Sequence, residues 1–198
     1  HQGLRDAVAD PRVRMVVRGH TGGTFCAGAD LSEASGGSPE DLAAGRAREM
    51  TTTLRAIVEC PLPVIGVIDG HVRAGGMGLV GACDIVIAGP KSTFALTEAR
   101  IGVAPSIISL TLLPKLTARA AARYYLTGET FTARQAVDAG LATVAADDVE
   151  SELATFAEAL GKASPQGLAA SKALTTAQVL AGFDRDAERL TRESARLF

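Results

Sequence analysis

The sequence predicts a single α/β domain, and three observations lead to that fold class. Short β-branched runs alternate with longer segments of helical pattern along the chain. The 198 residues are enough for one domain with a sizeable core. Apolar residues make up 47% of the chain and charged residues 21%, which is the balance of an ordinary globular protein.

The predicted elements follow in a regular order. The first ten residues have the pattern of a helix end, which Pro11 closes, and a β-branched strand covers 13–18. A helix is predicted over 39–59, because Pro39 suits a first helical position. Further strands are expected at 64–68, 85–88, 92–96 and 141–144, and further helices at 75–82, 118–126 and 132–139, with a helical remainder broken at 161–166. Gly140 is expected to end the helix before it.

Composition argues against several classes of function. A net charge of −2 and an aromatic content of 4% do not suit a nucleic-acid surface. No apolar stretch approaches the roughly 18 residues of a membrane span, and no signal peptide is recognisable at the start. Cys26, Cys60 and Cys83 stand far apart, which favours small packed side chains over zinc ligands or disulfides. We therefore expect a cytoplasmic protein that does not bind membranes or nucleic acids.

Two glycine-rich stretches are the most informative part of the chain. They read Phe-Cys-Ala-Gly-Ala-Asp-Leu at 25–31 and Gly-His-Val-Arg-Ala-Gly-Gly-Met-Gly at 70–78. Each follows a strand-like run, and such small residues let a ligand approach the backbone closely. Two free backbone N–H groups that converge on one point would form an oxyanion hole. The motifs Cys-Asp-Ile at 83–85 and Thr-Glu at 97–98 follow downstream.

The second stretch also contains a literal dinucleotide-binding motif. Residues 76–81 match G-x-G-x-x-G, and Glu98 lies about 20 residues further on. The predicted strand, however, ends at Ile68, and seven residues separate it from Gly76. The following helix is short because the next strand begins at Ile85, whereas a dinucleotide fold needs a longer helix that starts at the glycines. These observations favour a site without a nicotinamide or flavin cofactor.

The two stretches and the downstream motifs together resemble the crotonase superfamily, the enoyl-CoA hydratases and isomerases. The resemblance implies a crotonase-type fold, in which ββα units wind into a superhelix, and a homotrimer or hexamer. It implies an acyl-CoA substrate and no cofactor, since coenzyme A is part of the substrate. It covers nearly the whole chain, so residues 1–198 are expected to form one crotonase-like domain. We expect this domain to lack the family's N-terminal strand–helix segment and its extreme C-terminal helical element.

The resemblance also implies roles for individual residues. The thioester carbonyl would lie between the backbone N–H groups of Ala29 and Gly75. Ala27, Asp30 and Leu31, together with Ala29 and Gly75, would contact the substrate. Asp30 suits a turn or helix cap equally well. Glu98 matches one of the two catalytic glutamates of a hydratase.

The position of the other glutamate is Gly78, which has no side chain to carry a proton. Three functions therefore stay open. Family resemblance favours a hydratase that adds water to a 2-enoyl-CoA. The single carboxylate favours a Δ3,Δ2-enoyl-CoA isomerase, and a non-catalytic acyl-CoA-binding protein is the third possibility. The apolar stripe on the last helix, which includes Phe183, Ala187 and Leu190, fits packing between subunits.

The remaining polar residues near these motifs are expected to have other roles. His71 and Arg73 are interpreted as structural or solvent-facing, and Asp84 as a loop or capping residue. Arg100 is either a solvated charge or a phosphate contact. The Pro-Ser-Ile-Ile-Ser segment at 105–109 predicts a branched, apolar wall for the acyl pocket.

Overall fold

A computed structural model describes residues 2–27 and 39–195. The helices are α1 (Gln2–Ala9), α2 (Pro39–Glu59), α3 (Gly75–Ala82), α4 (Ser109–Leu112), α5 (Ala118–Thr127), α6 (Ala133–Ala139), α7 (Val149–Gly161) and α8 (Pro165–Ala195). The strands are β1 (Val16–Arg18), β2 (Thr24–Cys26), β3 (Val64–Ile68), β4 (His71–Arg73), β5 (Ile85–Ala88), β6 (Thr93–Ala95), β7 (Phe131–Thr132) and β8 (Val144–Ala145). A 3₁₀ turn, Glu98–Ile101, lies between β6 and α4.

The described strands form two sheets. One has the order β1-β3-β5-β8, and all of its pairs are parallel. The other has the order β2-β4-β6-β7, in which only the pairing of β6 with β7 is antiparallel. From β1 to β6, strands of the first sheet alternate with strands of the second, and α3 follows the β3–β4 pair. This is the ββα winding expected from the sequence.

The core lies where these sheets meet the helices. Every residue of β3 is buried, which explains why its sequence, Val-Ile-Gly-Val-Ile, carries no polar alternation. Phe131 stacks between Phe94 and Tyr124, with ring centroids 5.5 and 3.9 Å apart respectively. Burial of each large apolar side chain contributes about 1.5–3 kcal/mol to folding.

The sequence misses β2, β4 and β7 and places one strand too early. β4 lies inside the glycine-rich stretch at 70–78, and only its pairing with β2 and β6 defines it. The strand expected at 141–144 begins instead at Val144. The N–H groups of Leu141 and Ala142 donate to Ala136 O, at 2.8 and 3.1 Å, and so close α6 rather than extend the sheet. Gly140 ends α6 as expected, in the left-handed conformation with φ 89°.

The apolar stripe of α8 packs within the chain. Phe183 is fully buried, and Ala187 and Leu190 pack against the same core cluster. Between α8 and α2, Thr191 Oγ1 lies 2.8 Å from Thr51 Oγ1. The described residues of this stripe therefore have a partner within the chain, and packing between subunits stays a prediction.

A buried ion pair also anchors α8. Lys172 is 6% exposed, and its Nζ lies 2.8 Å from Asp84 Oδ2. The same ammonium donates to Ile57 O and Leu62 O at 3.1 and 3.0 Å. Asp84 Oδ2 also accepts a hydrogen bond from Val64 N–H at 2.7 Å. Asp84 is thus a structural carboxylate, in agreement with its interpretation from the sequence.

The three cysteines are free thiols, and Cys60 and Cys83 are buried. Burial raises the pKa of the Cys83 thiol to about 12, so this side chain stays protonated and packs as an apolar group. Among the described residues, no helix has the length and apolar character that a membrane crossing requires.

Candidate active site

Three of the predicted site segments meet at one edge of the second sheet. β2, β4 and β6 are parallel neighbours, so their carboxyl ends lie side by side. Ala27 follows β2, Gly75 begins α3 just after β4, and Glu98 begins the 3₁₀ turn just after β6. The sheet order therefore brings together residues that are far apart in the sequence.

The start of α3 has a strained backbone. Ala74, its N-cap, has φ 46° and ψ −127°, the only positive φ at a non-glycine residue in the described parts of the chain. No described side chain caps the helix. A residue held in such a conformation costs on the order of 1–3 kcal/mol, and such residues cluster at functional sites. The strain is thus a structural indication of function at the position of Gly75.

Little space separates the first turn of α3 from its neighbours. A Cβ at Gly76 would lie 2.6 Å from Cys26 Cβ, whereas one at Gly75 would meet the flexible end of Met50, with Cε at 2.6 Å. Ala27 is exposed directly beyond Cys26. The end of β2 and the first turn of α3 are therefore in contact. Ala29, Asp30 and Leu31, the other predicted substrate contacts, lie outside the described residues.

Glu98 has the environment of a reactive carboxyl group. It is half-buried, and its Oε2 atom is buried without a hydrogen-bond partner among the described residues. Burial raises the pKa of Glu98, and a hydrogen bond from its own backbone partly offsets this shift. Buried polar atoms in folded proteins are almost always paired. An unpaired carboxylate oxygen beside strained backbone is therefore a candidate proton-transfer group.

At Gly78, the space that a side chain would need is filled. A Cβ there would lie 2.6 Å from Ile108 Cγ2 and 3.2 Å from Leu54 Cδ1. The carbonyl of Gly78 accepts a hydrogen bond from Thr111 Oγ1 at 2.9 Å. Hydrocarbon from α2 and from the start of α4 thus occupies the position where the resemblance would put a second glutamate.

Packing also accounts for the literal G-x-G-x-x-G motif. Gly76 abuts Cys26 and Gly78 abuts Ile108, while a Cβ at Gly81 would lie 2.9 Å from the carbonyl oxygen of Thr111. Each glycine allows a close approach within the protein. One argument against a dinucleotide needs correction, since β4 ends shortly before Gly75. The other is confirmed, because α3 is only eight residues long.

Two hydroxyl groups near Glu98 have no predicted role in the sequence. Tyr125 Oη lies 2.9 Å from Ser109 Oγ, and α5, which carries Tyr125, packs against the 3₁₀ turn of Glu98. The Glu98 charge contributes to the raised pKa of Tyr125, which burial chiefly sets at about 12. The available signal was modest: the chain has only two tyrosines, and they are adjacent.

The cationic side chains nearby hold the scaffold together. Arg73 donates to the carbonyls of Val72 and Thr93, each at 2.8 Å, and His71 Nδ1 lies 2.7 Å from Thr93 Oγ1. Arg100 donates to Thr127 O from Nε and Nη2, both at 3.1 Å. Arg100 therefore ties the 3₁₀ turn to the end of α5.

A cavity of about 490 Å³ lies away from this site, between the first sheet and α7. His20, Asp69 and Lys91 line part of it. His20 Nε2 accepts a hydrogen bond from Asp69 N–H at 3.0 Å, and Lys91 N–H donates to Asp69 Oδ1 at 2.8 Å. These side chains thus stabilise the turns that leave β3 and β5.

Comparison with known proteins decides the family. The family model for enoyl-CoA hydratase/isomerase matches residues 1–194. The chain belongs to the enoyl-CoA hydratase/isomerase family. An enoyl-CoA hydratase structure from Mycobacterium avium has a TM-score of 0.95 and 69% identity, and the match covers 100% of this chain and 76% of that one. The crotonase-type fold predicted from the sequence is therefore confirmed.

Curated members of the family include both kinds of enzyme. The Mycobacterium tuberculosis protein named "Probable enoyl-CoA hydratase EchA14" is 33% identical over 180 residues, which cover 90% of this chain and 70% of that one. The peroxisomal Delta(3,5)-Delta(2,4)-dienoyl-CoA isomerase of Arabidopsis thaliana is 28% identical over 180 residues, which cover 83% and 65%. The expectation of an enzyme of the hydratase/isomerase family is thus confirmed.

Proposed function

We propose that this protein acts on acyl-CoA thioesters, with Glu98 as its single proton carrier, and that it shifts a double bond from a 3-enoyl-CoA to the 2-enoyl-CoA. The proposal rests on the contrast between the surroundings of Glu98 and those of Gly78. Glu98 Oε2 is buried and has no hydrogen-bond partner among the described residues, whereas Ile108 and Leu54 crowd the position of Gly78. A proton shuttle needs only one carboxylate, and Glu98 is the one that the described part of the site offers.

The proposed reaction begins with the thioester carbonyl against the N–H of Gly75, at the start of α3. The family resemblance supplies the N–H of Ala29 as the second donor. Glu98 removes a proton from C2, and the electron pair of the C–H bond moves toward the carbonyl oxygen to form a dienolate. The positive end of a helix dipole stabilises this developing negative charge. Glu98 then returns the proton to C4, the double bond forms between C2 and C3, and the catalyst is regenerated.

The burial of Glu98 supports its part in this reaction. A general base works best when its pKa lies close to the working pH, and burial moves the pKa of Glu98 upward in that direction. Oε2 has no hydrogen bond to any described residue that would have to break before it accepts a proton. Both properties assist removal of a weakly acidic C–H proton.

Hydration of a 2-enoyl-CoA is the second candidate, since family relatives are named as hydratases. In a typical hydratase, two carboxylates hold one water, one as base and the other as acid. The crowded hydrocarbon at Gly78 favours a lower rate for this reaction. Loss of one general acid or base typically reduces the rate by about 10²–10⁴-fold.

A test of the proposal offers the purified protein a 3-enoyl-CoA and crotonyl-CoA in parallel, with acyl-CoA affinity measured by calorimetry. We expect isomerisation to exceed hydration, and Gly75→Val to suppress both turnover and binding of the acyl group. Faster hydration than isomerisation would reverse the order of the two functions. Binding without either reaction would indicate an acyl-CoA-binding protein instead.

The remaining predictions made from the sequence belong to the same proposal. They are a cytoplasmic location, assembly as a homotrimer or hexamer, and no cofactor beyond the coenzyme A of the substrate. These stay predictions. The packing of α8 on α2 removes one of the sequence arguments for the oligomer, so its support now comes from the family alone.

A further inference from the structure

The hydroxyl groups of Ser109 and Tyr125 form a chain with a fixed direction. Ser109 Oγ donates to the carbonyl oxygen of Pro105 at 2.7 Å, and it lies 2.9 Å from Tyr125 Oη. A serine hydroxyl has one hydrogen, and here Pro105 accepts it. Tyr125 must therefore donate its own hydrogen to Ser109, and its oxygen retains only acceptor capacity toward other groups.

This chain ends beside Glu98. The 3₁₀ turn that begins at Glu98 packs against α5, and Arg100 fastens the turn to Thr127, two residues beyond Tyr125. The Glu98 charge raises the pKa of Tyr125, so the two groups are within electrostatic reach. Glu98 Oε2 is buried and has no hydrogen-bond partner among the described residues, so Tyr125 donates no hydrogen bond to it.

We propose that Tyr125 is a positioning residue for Glu98: with its hydrogen held by Ser109, the Tyr125 hydroxyl turns its lone pairs toward the carboxyl group and favours the protonated form of Glu98. The inference rests on the proposed function, in which Glu98 holds a proton between its removal and its return. Lone pairs that face a carboxylate repel its negative charge, whereas they repel the neutral acid much less. The Ser109–Tyr125 pair would thus hold the transferred proton on Glu98.

The charged groups on the neighbouring elements do not cancel this effect. Arg100, on the same turn, is engaged with Thr127 O, and Arg123, on α5, is paired with Glu129. Burial is the dominant influence on the pKa of Glu98, and only its own backbone hydrogen bond opposes it. The direction of the Tyr125 hydroxyl is therefore a polar influence on Glu98 that substitutions at Tyr125 or Ser109 can change.

The experiment follows the titration of Glu98 in the full chain by carboxyl ¹³C NMR, with Glu98→Gln to assign the signal. We expect Tyr125→Phe to lower the pKa of Glu98 by about half a unit to one unit, because the repelling lone pairs are lost. Ser109→Ala should lower it further, because the freed Tyr125 hydrogen can then turn toward the carboxylate. Tyr124→Phe is the matched control, since Tyr124 is buried and stacked on Phe131, and should leave the pKa unchanged.

The acidic limb of the kcat/KM profile should move to lower pH in the same order, since the ionised form of Glu98 is the base. An unchanged titration in Tyr125→Phe, or a pKa in Ser109→Ala above that of Tyr125→Phe, would overturn the inference. Because the NMR titration needs no turnover, it separates this inference from the proposed function. An active Glu98→Gln enzyme would refute the proposed function, whatever the titration shows.

Discussion

Asp84 and Glu98 are both carboxylates at the ends of core elements, but the protein surrounds them differently. Asp84 Oδ2 receives the Lys172 ammonium at 2.8 Å and the Val64 N–H at 2.7 Å. Glu98 Oε2 is buried and receives no hydrogen bond from the described residues. One carboxylate is fully compensated and the other is not. The difference indicates that Asp84 stabilises the fold, and it supports the proposal that Glu98 accepts a proton.

The surroundings of Lys172 show how complete the compensation is. A lysine ammonium has three hydrogens, and here Asp84, Ile57 O and Leu62 O provide three acceptors. A buried charge is tolerated when it is paired and hydrogen-bonded in this way. At Glu98, by contrast, Arg100 is close in sequence but binds Thr127 O instead. The cation that could have neutralised Glu98 therefore has another partner.

The largest expected effect separates activity from stability at Glu98. Glu98→Gln should lower turnover by about 10²–10⁴-fold, because the amide cannot accept the substrate proton. Acyl-CoA affinity should change little, since the N–H donors at α3 remain. Kinetics and calorimetry on the folded variant provide the measurement. Retention of full turnover would show that another base carries the proton.

At the Asp84–Lys172 ion pair we expect a loss of stability without a loss of turnover. Lys172→Met leaves a buried carboxylate without its cation, and loss of one partner of such a pair costs about 3–5 kcal/mol of unfolding free energy. Turnover per folded molecule should stay near that of the wild type. Denaturant unfolding checks the stability, and the double variant Lys172→Met/Asp84→Asn serves as the control. The double variant should recover part of the lost unfolding free energy. A Lys172→Met variant as stable as the wild type would mean that the ion pair does not stabilise the fold.

A third experiment introduces a second carboxylate into the site, at the position of Gly78. Gly78→Glu alone should destabilise the protein by at least about 1–3 kcal/mol, because its Cβ would lie 2.6 Å from Ile108 Cγ2. Combined with Ile108→Gly, the new carboxylate gains room, and hydration of crotonyl-CoA should rise above the wild-type rate. Gly78→Ala with Ile108→Gly is the matched control without the carboxylate. If both double variants hydrate equally, the second carboxylate is not what limits hydration.

The smallest expected effect is on the pH dependence of stability. The folded pKa of Glu98 is raised by burial, so the folded state binds its proton more tightly than the unfolded state does. This contribution is present in acid and is lost as the pH rises from the unfolded pKa through the folded pKa. Thermal melts of Glu98→Gln should therefore match the wild type in acid and lie slightly above it at mildly alkaline pH. A lower melting temperature across the whole range would indicate that Glu98 is structural.

The sequence predicted the elements whose signals are local. The β-branched run of β3 and the helix that begins at Pro39 carry their own patterns, and Gly140 marks the end of α6. β2, β4 and β7, which have only two or three residues each, could not be predicted, because only their neighbours in the sheet define them. The packing of the α8 stripe on α2 could not be predicted for a similar reason, since α2 lies far away in the chain.

The site was predictable in part. Glu98 and Gly75 followed from motifs in the sequence, and the sheet order places them at one edge. The contact of Gly78 with Ile108 and the partners of Asp84 join distant segments, so no local pattern reveals them. The direction of the Tyr125 hydroxyl depends on Ser109 and Pro105 in three dimensions, and the sequence offered only the rarity of tyrosine as a signal.

The central claim is that Glu98 is the single proton carrier in a site lined by apolar side chains. Its most direct test is the isomerisation of a 3-enoyl-CoA in D₂O. If Glu98 takes the proton from C2 and returns the same proton to C4, most product molecules should carry protium at C4 in the early phase of the reaction. Mass spectrometry and proton NMR of the 2-enoyl-CoA product measure this fraction. Product that is fully deuterated at C4 from the first turnovers, or the absence of isomerisation, would contradict the assignment of Glu98 as a lone carrier shielded from water.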